Sequence, residues 1–417
     1  MRPCGFVLLG ALALACGEVT RESPSSMSTS GGNSTNPNSK GGAASGSDAT
    51  GTSGGSAGQY VGSCAPNCGP QGGLGLGGSD VPSGGSGTRV GPNVDLPWPS
   101  SGCGSPLPAE QVPTVPGTRS YTEFHVTQTG ATLAADDPTN AGERQFFVRV
   151  PSNYDSNRPY RVVYVLQGCG ANRAADTRTY PLFDQRLGGY EDAVYVAVSV
   201  PDNQKNPGCY DNNTGEQSQE WEAFDLIHTF VESRYCVDNN RIFTTGYSTG
   251  GYLSNMWGCY FGGTPSPPLD AADVAAGRTQ RKFSPHWAVR GRALVTGALP
   301  ANQPVPCNGP GAGLWFSDTG DQASFIRNNV AALNLALQTN GCIGNYEDGP
   351  KEAWARAENI PGLQGGVCQR YTGCSAEIGY DYPLVFCTTQ GFGHSDSSNL
   401  FIPAFSSFAS MMDPKPE

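Results

Sequence analysis

Seven short runs rich in Val, Ile, Phe and Tyr recur between residues 144 and 389, with longer mixed segments between them. Several of these runs are almost continuously apolar, which is typical of strands covered on both faces. A chain with this rhythm is restricted to layered folds in which strands alternate with helices. The runs are residues 144–151, 160–168, 192–201, 241–248, 292–299, 312–318 and 382–389.

Two intervening segments have helical periodicity. In "SQEWEAFDLIHTFVESRYC" apolar positions repeat at spacings of three and four, and "QASFIRNNVAALNLALQTNG" is a second such segment, closed by Gly341 as a C-cap. Strands joined by crossover helices predict an α/β fold with a mostly parallel central sheet and helices on both faces. The apolar face of the first helix consists of Trp221, Phe224, Ile227, His228 and Val231.

The N-terminal part of the chain predicts export and a tether. Residues 1–16 have the short apolar run of a signal peptide, and "ALAC" resembles the bacterial lipobox, which implies lipidation of Cys16. Ordinary signal cleavage is the alternative. Residues 17–105 are rich in Gly and Ser and predict a flexible tether with a small Cys-containing segment, so we expect one α/β domain over 106–417. The expected location is extracellular or the cell surface, with a bacterial outer-membrane lipoprotein as the specific form.

Composition excludes some functions and supports others. The net charge is −11 with only 25 Lys and Arg and no basic run, so no nucleic-acid partner is expected. The chain has 14 Cys, and setting aside Cys4 and Cys16 leaves an even number, as full disulfide pairing requires. No His lies near "CAPNC", so we expect neither a metal nor a cofactor.

The pattern G-x-S-x-G occurs in "GTSGG", "GGSAG" and "GYSTG". Only Ser248, in the third match, follows a β-rich run and precedes a helical segment. This context predicts a nucleophile elbow, in which a tight turn presents the serine hydroxyl. A helix N-cap serine is the alternative interpretation.

A nucleophilic serine needs a base and an orienting acid. In the chain order of α/β-hydrolases the histidine comes last, and His394 is the one that lies late enough. The segment "LWFSDTGDQAS" offers two acids, Asp318 and Asp321. The oxyanion would be bound by the N–H of Thr249 and by one from "LQGCGANR", at Cys169 or Gly170.

The segments "YVLQGCGANR", "GYSTGGYLSNMWGC", "DTGDQAS", "CQRYTGC" and "GFGHS" together resemble the secreted esterases that group feruloyl esterases with polyhydroxybutyrate depolymerases. The resemblance implies a disulfide-stapled α/β-hydrolase fold with Ser248 as nucleophile, His394 as base, Asp321 as acid, and the Cys169 N–H as second oxyanion donor. The chain departs from the family pattern at Gln167, Ser317 and Phe392.

The same resemblance implies a disulfide between Cys169 and Cys209. It also implies pairing within a second set of cysteines, for which three connectivities exist. That set is Cys342, Cys368, Cys374 and Cys387.

The expected activity is that of an extracellular serine carboxylic-ester hydrolase that cleaves hydroxycinnamoyl esters on plant cell-wall polysaccharide. The alternatives are a polyhydroxybutyrate depolymerase and, in another class, a non-catalytic surface binding protein. Aromatic residues near the elbow are candidates for flanking an aryl group, although such residues more often serve packing. They are Tyr247, Tyr210, Trp257 and Phe392.

Overall fold

One mixed sheet organises the part of the chain that the computed structural model describes. Its strands are β1 (Tyr121–Thr127), β2 (Glu143–Arg149), β3 (Tyr160–Leu166), β4 (Ala193–Val198), β5 (Val237–Tyr247), β6 (Val289–Val295), β7 (Ala312–Asp318), β8 (Lys351–Ala353), β9 (Val367–Tyr371) and β10 (Leu384–Thr389). Its α-helices are α1 (Gln219–Arg234), α2 (Thr249–Tyr260), α3 (Ile326–Thr339) and α4 (Ser398–Ala409). The described residues are 96–111, 121–128, 142–170, 192–200, 208–211, 219–263, 287–298, 307–324, 326–359, 367–375, 382–394 and 398–413.

The ten described strands follow the order β1-β2-β4-β3-β5-β6-β7-β10-β9-β8. The six central strands, from β4 to β10, pair in parallel, whereas the strands outside them are antiparallel. In a parallel sheet all carboxyl ends meet at one edge, and ligand sites form there. The loops that follow β3, β5, β7 and β10 therefore lie along the same edge.

Strand β3 shows why the central sheet is covered on both faces. Its sequence is apolar throughout, and successive side chains point to opposite faces. Tyr164 packs with the core that includes α1 and α2, whereas Val163 and Val165 pack with Phe405 of α4 on the other face. The predicted fold class, a mostly parallel sheet with helices on both faces, is confirmed.

All seven predicted strand runs contain a strand, and both predicted helices are present. Strands β1, β8 and β9 and helix α4 were not predicted. Strand β1 mixes polar and apolar residues, and α4 contains Pro403, which argues against a helix interior. Tertiary packing of the apolar residues of α4 outweighs that local preference.

Residues 96–105 lie against the sheet, although the sequence assigned them to the tether. Pro99 forms a bridge with Asp238 at the start of β5, and Cys103 forms a disulfide with Cys236. The Ser100 N–H donates to the Val237 carbonyl at 2.9 Å. We therefore propose that the domain begins before residue 99. The predicted signal peptide, Cys16 and most of the predicted tether lie outside the described residues.

Five disulfides lie among the described residues. The predicted bond between Cys169 and Cys209 is present. The predicted set of four pairs internally, and the structure selects one of its three connectivities. Together the five bonds confirm a disulfide-stapled domain, and none of its described helices is long and apolar enough to cross a bilayer. The remaining bonds are Cys342–Cys374, Cys368–Cys387 and Cys259–Cys307.

Candidate active site

Ser248 lies on the tight turn between β5 and α2, with φ 55° and ψ −122°. A positive φ is uncommon for a residue with a Cβ and indicates strain that the surroundings must hold. The flanking glycines allow the turn, because a Cβ at Gly250 would overlap the carbonyl oxygens of Leu166 and Gln167. Strand, strained turn and helix form the elbow of the α/β-hydrolase fold.

The side chain of Ser248 does not cap helix α2, since it makes no capping hydrogen bond. Its Oγ lies 3.0 Å from Nε2 of His394 instead. The contact joins residues 146 positions apart in the sequence. The N-cap interpretation therefore does not describe this serine.

His394 lies on the loop after β10 and contacts the acid with its other ring nitrogen. Nδ1 of His394 is 2.9 Å from Oδ2 and 3.1 Å from Oδ1 of Asp321. The Asp321 side chain is buried, and its Oδ1 accepts the N–H groups of Ala323 and Ser324 at 2.8 and 2.9 Å. These bonds fix the carboxylate toward the imidazole, so that Nδ1 is the donor and Nε2 is left to accept the serine proton.

The rival acid, Asp318, contacts the loop that carries His394 and does not contact its ring. Its Oδ2 accepts the Phe392 N–H and the Thr389 hydroxyl, each at 3.0 Å, and its Oδ1 accepts the Gly320 N–H at 2.8 Å. Burial raises the pKa of Asp318, but the donated hydrogen bonds outweigh burial and hold the pKa below its ordinary value.

The turn at 168–170 lies directly against the elbow. A Cβ at Gly168 would come within 3.0 Å of the Tyr247 ring and 3.3 Å of the Ser248 Cβ. The disulfide from Cys169 to Cys209 ties this turn to its neighbouring segment. Thr249 is the first residue of α2, where backbone N–H groups lack partners within the helix. Both predicted oxyanion residues, Cys169 and Thr249, therefore flank Ser248.

The other described histidines are remote from this arrangement. His228 is buried, and its Nδ1 lies 2.7 Å from the Tyr164 hydroxyl. His125 is partly exposed beside Glu123. His286 lies outside the described residues. Among the described residues no group of three or more His, Cys, Asp or Glu side chains could hold a metal ion.

A family model matches the first part of the domain. Residues 138–303 match the family model described as "Putative esterase". The matched segment is thus similar to this family over less than half of the chain. It contains Ser248 but ends before Asp321 and His394, so the structure, and not the family match, brings these three residues together.

The chain is also similar to individual relatives. "Feruloyl esterase D" of Neurospora crassa is 31% identical over 179 residues, which are 40% of this chain and 51% of the relative. "Feruloyl esterase C" of Emericella nidulans is 23% identical over 241 residues, which are 57% of this chain and 73% of the relative. The chain thus spans about half the length of the first relative. These matches confirm the resemblance to the feruloyl esterase group.

Two solved structures of esterases are also similar to this chain. An acetyl xylan esterase of Aspergillus awamori has a TM-score of 0.45 at 15% identity and covers 69% of this chain and 99% of its own. A ferulic acid esterase of Anaeromyces mucronatus, solved with ferulic acid, has a TM-score of 0.38 at 15% identity and covers 74% of this chain and 96% of its own.

Two of the substrate-binding predictions are wrong. Tyr210 and Trp257 are fully buried, so neither can contact a substrate. The Tyr210 hydroxyl accepts the Gln167 N–H at 3.2 Å and donates to the Val198 carbonyl at 2.6 Å, so it supports the 168–170 turn from inside. Trp257 stacks on a phenylalanine of α1 in the core.

Tyr247 and Phe392 do lie at the site. The Tyr247 ring centroid is 5.2 Å from that of His394, and its hydroxyl donates to the His394 carbonyl at 3.0 Å. Phe392, two residues before His394, is 45% exposed. The supporting roles of Tyr247 and Asp318 toward the histidine loop were not predicted, because nothing in the sequence indicates which loops meet.

Proposed function

We propose that the chain is a serine carboxylic-ester hydrolase that cleaves hydroxycinnamoyl esters such as those of ferulate on plant cell-wall polysaccharide. The observation that carries this proposal is the hydrogen-bonded series Ser248–His394–Asp321, with the serine on a strained elbow. A buried carboxylate, an imidazole and a hydroxyl in this order are the parts that acyl transfer requires.

The proposed reaction has two halves. In the first, Ser248 Oγ attacks the ester carbonyl carbon while His394 Nε2 takes the hydroxyl proton. The tetrahedral intermediate collapses, the carbon–oxygen bond to the alcohol breaks, and His394 returns the proton to the leaving oxygen. In the second, His394 removes a proton from water, whose oxygen attacks the acyl carbon. The bond from this carbon to Ser248 Oγ breaks, His394 returns the proton to Oγ, and the acid and free Ser248 result.

The negative oxygen of each tetrahedral intermediate would be bound by the backbone N–H groups of Thr249 and Cys169. The first of these lies at the N-terminus of α2, where the helix dipole favours negative charge. Preorganised donors of this kind typically contribute a factor of about 10² to 10³ in kcat.

Two observations support an aromatic acyl group. The names of the similar relatives state a feruloyl ester as their substrate. In this chain the exposed ring of Phe392 stands two residues from His394, where it can cover an aryl group or the alcohol part of the ester.

The five disulfides indicate an oxidising, extracellular location. We propose further that lipid on Cys16 anchors the chain to a bacterial outer membrane and that the Gly- and Ser-rich segment tethers the domain. The test is a Cys16→Ser variant expressed in a bacterial host. Its release from the membrane fraction supports the anchor, and unchanged fractionation refutes it.

The activity is tested with methyl ferulate, p-nitrophenyl acetate and a suspension of polyhydroxybutyrate. The variant is Ser248→Ala, and the matched control is Ser254→Ala, because Ser254 is a buried serine of the helix that follows Ser248 and its hydroxyl donates to that of Thr244. Ferulate release that Ser248→Ala abolishes and Ser254→Ala retains is the expected result. Clearing of the polyester without ferulate release would replace the substrate proposal, and a folded protein inactive on all three would favour a binding protein.

A further inference from the structure

Two carboxylates stand at the end of strand β7, and they serve different parts of the histidine loop. Asp321 contacts the imidazole of His394. Asp318, the last residue of β7, is 1% exposed and lies in register with Thr389, the last residue of β10. Because β10 leads directly into the loop that carries His394, Asp318 lies beneath the start of that loop.

The hydrogen bonds that Asp318 accepts come from the end of β10 and from the loops that follow β7 and β10. It accepts the Thr389 hydroxyl and the Phe392 N–H on one oxygen, and the Gly320 N–H on the other. The Gly393 N–H also lowers the pKa of this carboxyl. Hydrogen bonds to an ionised acceptor are roughly twice as strong as those between neutral groups. The carboxylate therefore joins the acid loop after β7 to the base loop after β10.

Among the described residues, few other contacts fix the conformation of the base loop before His394. Gly391 and Gly393 have φ values of 88° and 59°, which glycine adopts without steric penalty. A Cβ built at either position meets no atom within 4 Å, so side-chain packing does not confine this turn. A turn with two glycines in open space has many accessible conformations unless hydrogen bonds select one.

We propose that Asp318 is a positioning residue for the ester hydrolysis proposed above: it fixes the loop so that the His394 imidazole reaches Ser248 and Asp321 together. Asp318 thus acts through the main chain of the loop, whereas Asp321 acts on the ring. This inference rests on the proposed function of the same site.

The size of the effect follows from the geometry. His394 must hold two contacts at once, at 3.0 Å to Ser248 and 2.9 Å to Asp321. A displacement of about 1 Å in such an arrangement lowers the rate by about 10²-fold. The Tyr247 hydroxyl still holds the His394 carbonyl when Asp318 is changed. We therefore expect a loss of about 10- to 100-fold in kcat and no larger.

The test compares two buried carboxylates. Asp318→Asn keeps the side-chain shape but offers one acceptor oxygen in place of two, and no charge. When this oxygen keeps the Thr389 and Phe392 donors, the NH₂ faces the Gly320 N–H and the contact with the acid loop is lost. The hydrogen bonds to the base loop weaken as well, because those to an ionised acceptor are roughly twice as strong. The matched control is Asp238→Asn. Asp238 is fully buried and accepts the N–H groups of Trp98 and Asn240, but it lies at the far end of β5, ten residues before Ser248 and roughly 30 Å away along the strand.

Four quantities are measured for each protein: kcat and KM for p-nitrophenyl acetate, the inactivation rate by a fluorophosphonate that labels reactive serines, and the melting temperature. For Asp318→Asn we expect kcat and the inactivation rate to fall about 10- to 100-fold with KM within about twofold. For Asp238→Asn we expect a lower melting temperature with kcat within about twofold of the unchanged protein.

The inference is overturned if folded Asp318→Asn keeps kcat within twofold, or if Asp238→Asn loses kcat in proportion to its melting temperature, since the loss then reflects general destabilisation. If Asp318→Asn does not fold, Thr389→Val decides. It removes one donor to Asp318, and we expect a drop in kcat of about threefold to tenfold, so an unchanged kcat refutes the proposal. An unmodified protein that the fluorophosphonate does not label refutes the proposed function itself.

Discussion

Replacing Asp321 by Asn should disable His394 without unfolding the site. Oδ1 of Asp321 accepts two backbone N–H groups, from Ala323 and Ser324. The amide of Asn must therefore keep its oxygen at this position, because its NH₂ cannot face two donors. The NH₂ then occupies the place of Oδ2, which lies 2.9 Å from Nδ1 of His394.

An NH₂ group at this point reverses the hydrogen bond to the imidazole. This NH₂ is closer to Nδ1 of His394 than the retained oxygen, which lies 3.1 Å away, so we expect Nδ1 to accept from it. The ring proton then moves to Nε2 and points at Ser248 Oγ, 3.0 Å away. A nitrogen that carries this proton cannot take another from the serine. The wrong tautomer in a Ser-His-Asp site lowers kcat by about 10⁴-fold, which corresponds to about 5.5 kcal/mol of transition-state stabilisation.

The assay is kcat for p-nitrophenyl acetate at pH 7, together with the melting temperature from circular dichroism. Because the shape of the side chain and both backbone hydrogen bonds are kept, we expect the melting temperature to change by only a few degrees. The comparison with Asp318→Asn separates the two roles, since that variant should lose no more than about 100-fold. A folded Asp321→Asn protein that keeps more than a tenth of the activity would refute the assignment of Asp321 as the acid.

Three further predictions concern the surroundings of the triad. The double variant Cys169→Ser and Cys209→Ser removes a disulfide with a sequence separation of 40 residues. Urea unfolding should show that the free energy of unfolding falls by about 4 kcal/mol. An unchanged kcat would show that the oxyanion turn keeps its conformation without this bond. Phe392→Ala should leave the melting temperature nearly unchanged, since this residue is 45% exposed. The variant should raise KM for methyl ferulate about 2- to 12-fold. An unchanged KM would exclude contact between the ring and the acyl group. The pKa of Asp318 is lowered from 3.8. The ionised carboxylate therefore stabilises the folded protein fully above pH 3.8, and this stabilisation is lost as the pH falls through the lowered pKa. The difference in melting temperature between the unchanged protein and Asp318→Asn should thus be constant from pH 7 to about 5 and shrink below about pH 4, and a difference independent of pH would refute an ionised Asp318.

The sequence by itself determined the elements that depend on local chemistry. Short runs that are almost continuously apolar are typical of strands buried on both faces, and each predicted run contains a strand. Ser248 could be distinguished from the linker serines because a strand before it and a helix after it are both visible in the local pattern. His394 could be chosen because the order of the triad along the chain is a property of the fold and not of distance.

The tertiary structure alone decided which distant groups meet. Asp318 and Asp321 follow the same strand three residues apart, and no local pattern states which one faces the ring of a histidine more than 70 positions away. Tyr210 and Trp257 are aromatic residues near the site in sequence, yet packing places both in the core. Burial and hydrogen-bond partners arise from the docking of separate loops, so they depend on the relative position of β7 and β10 and cannot be read from either segment alone.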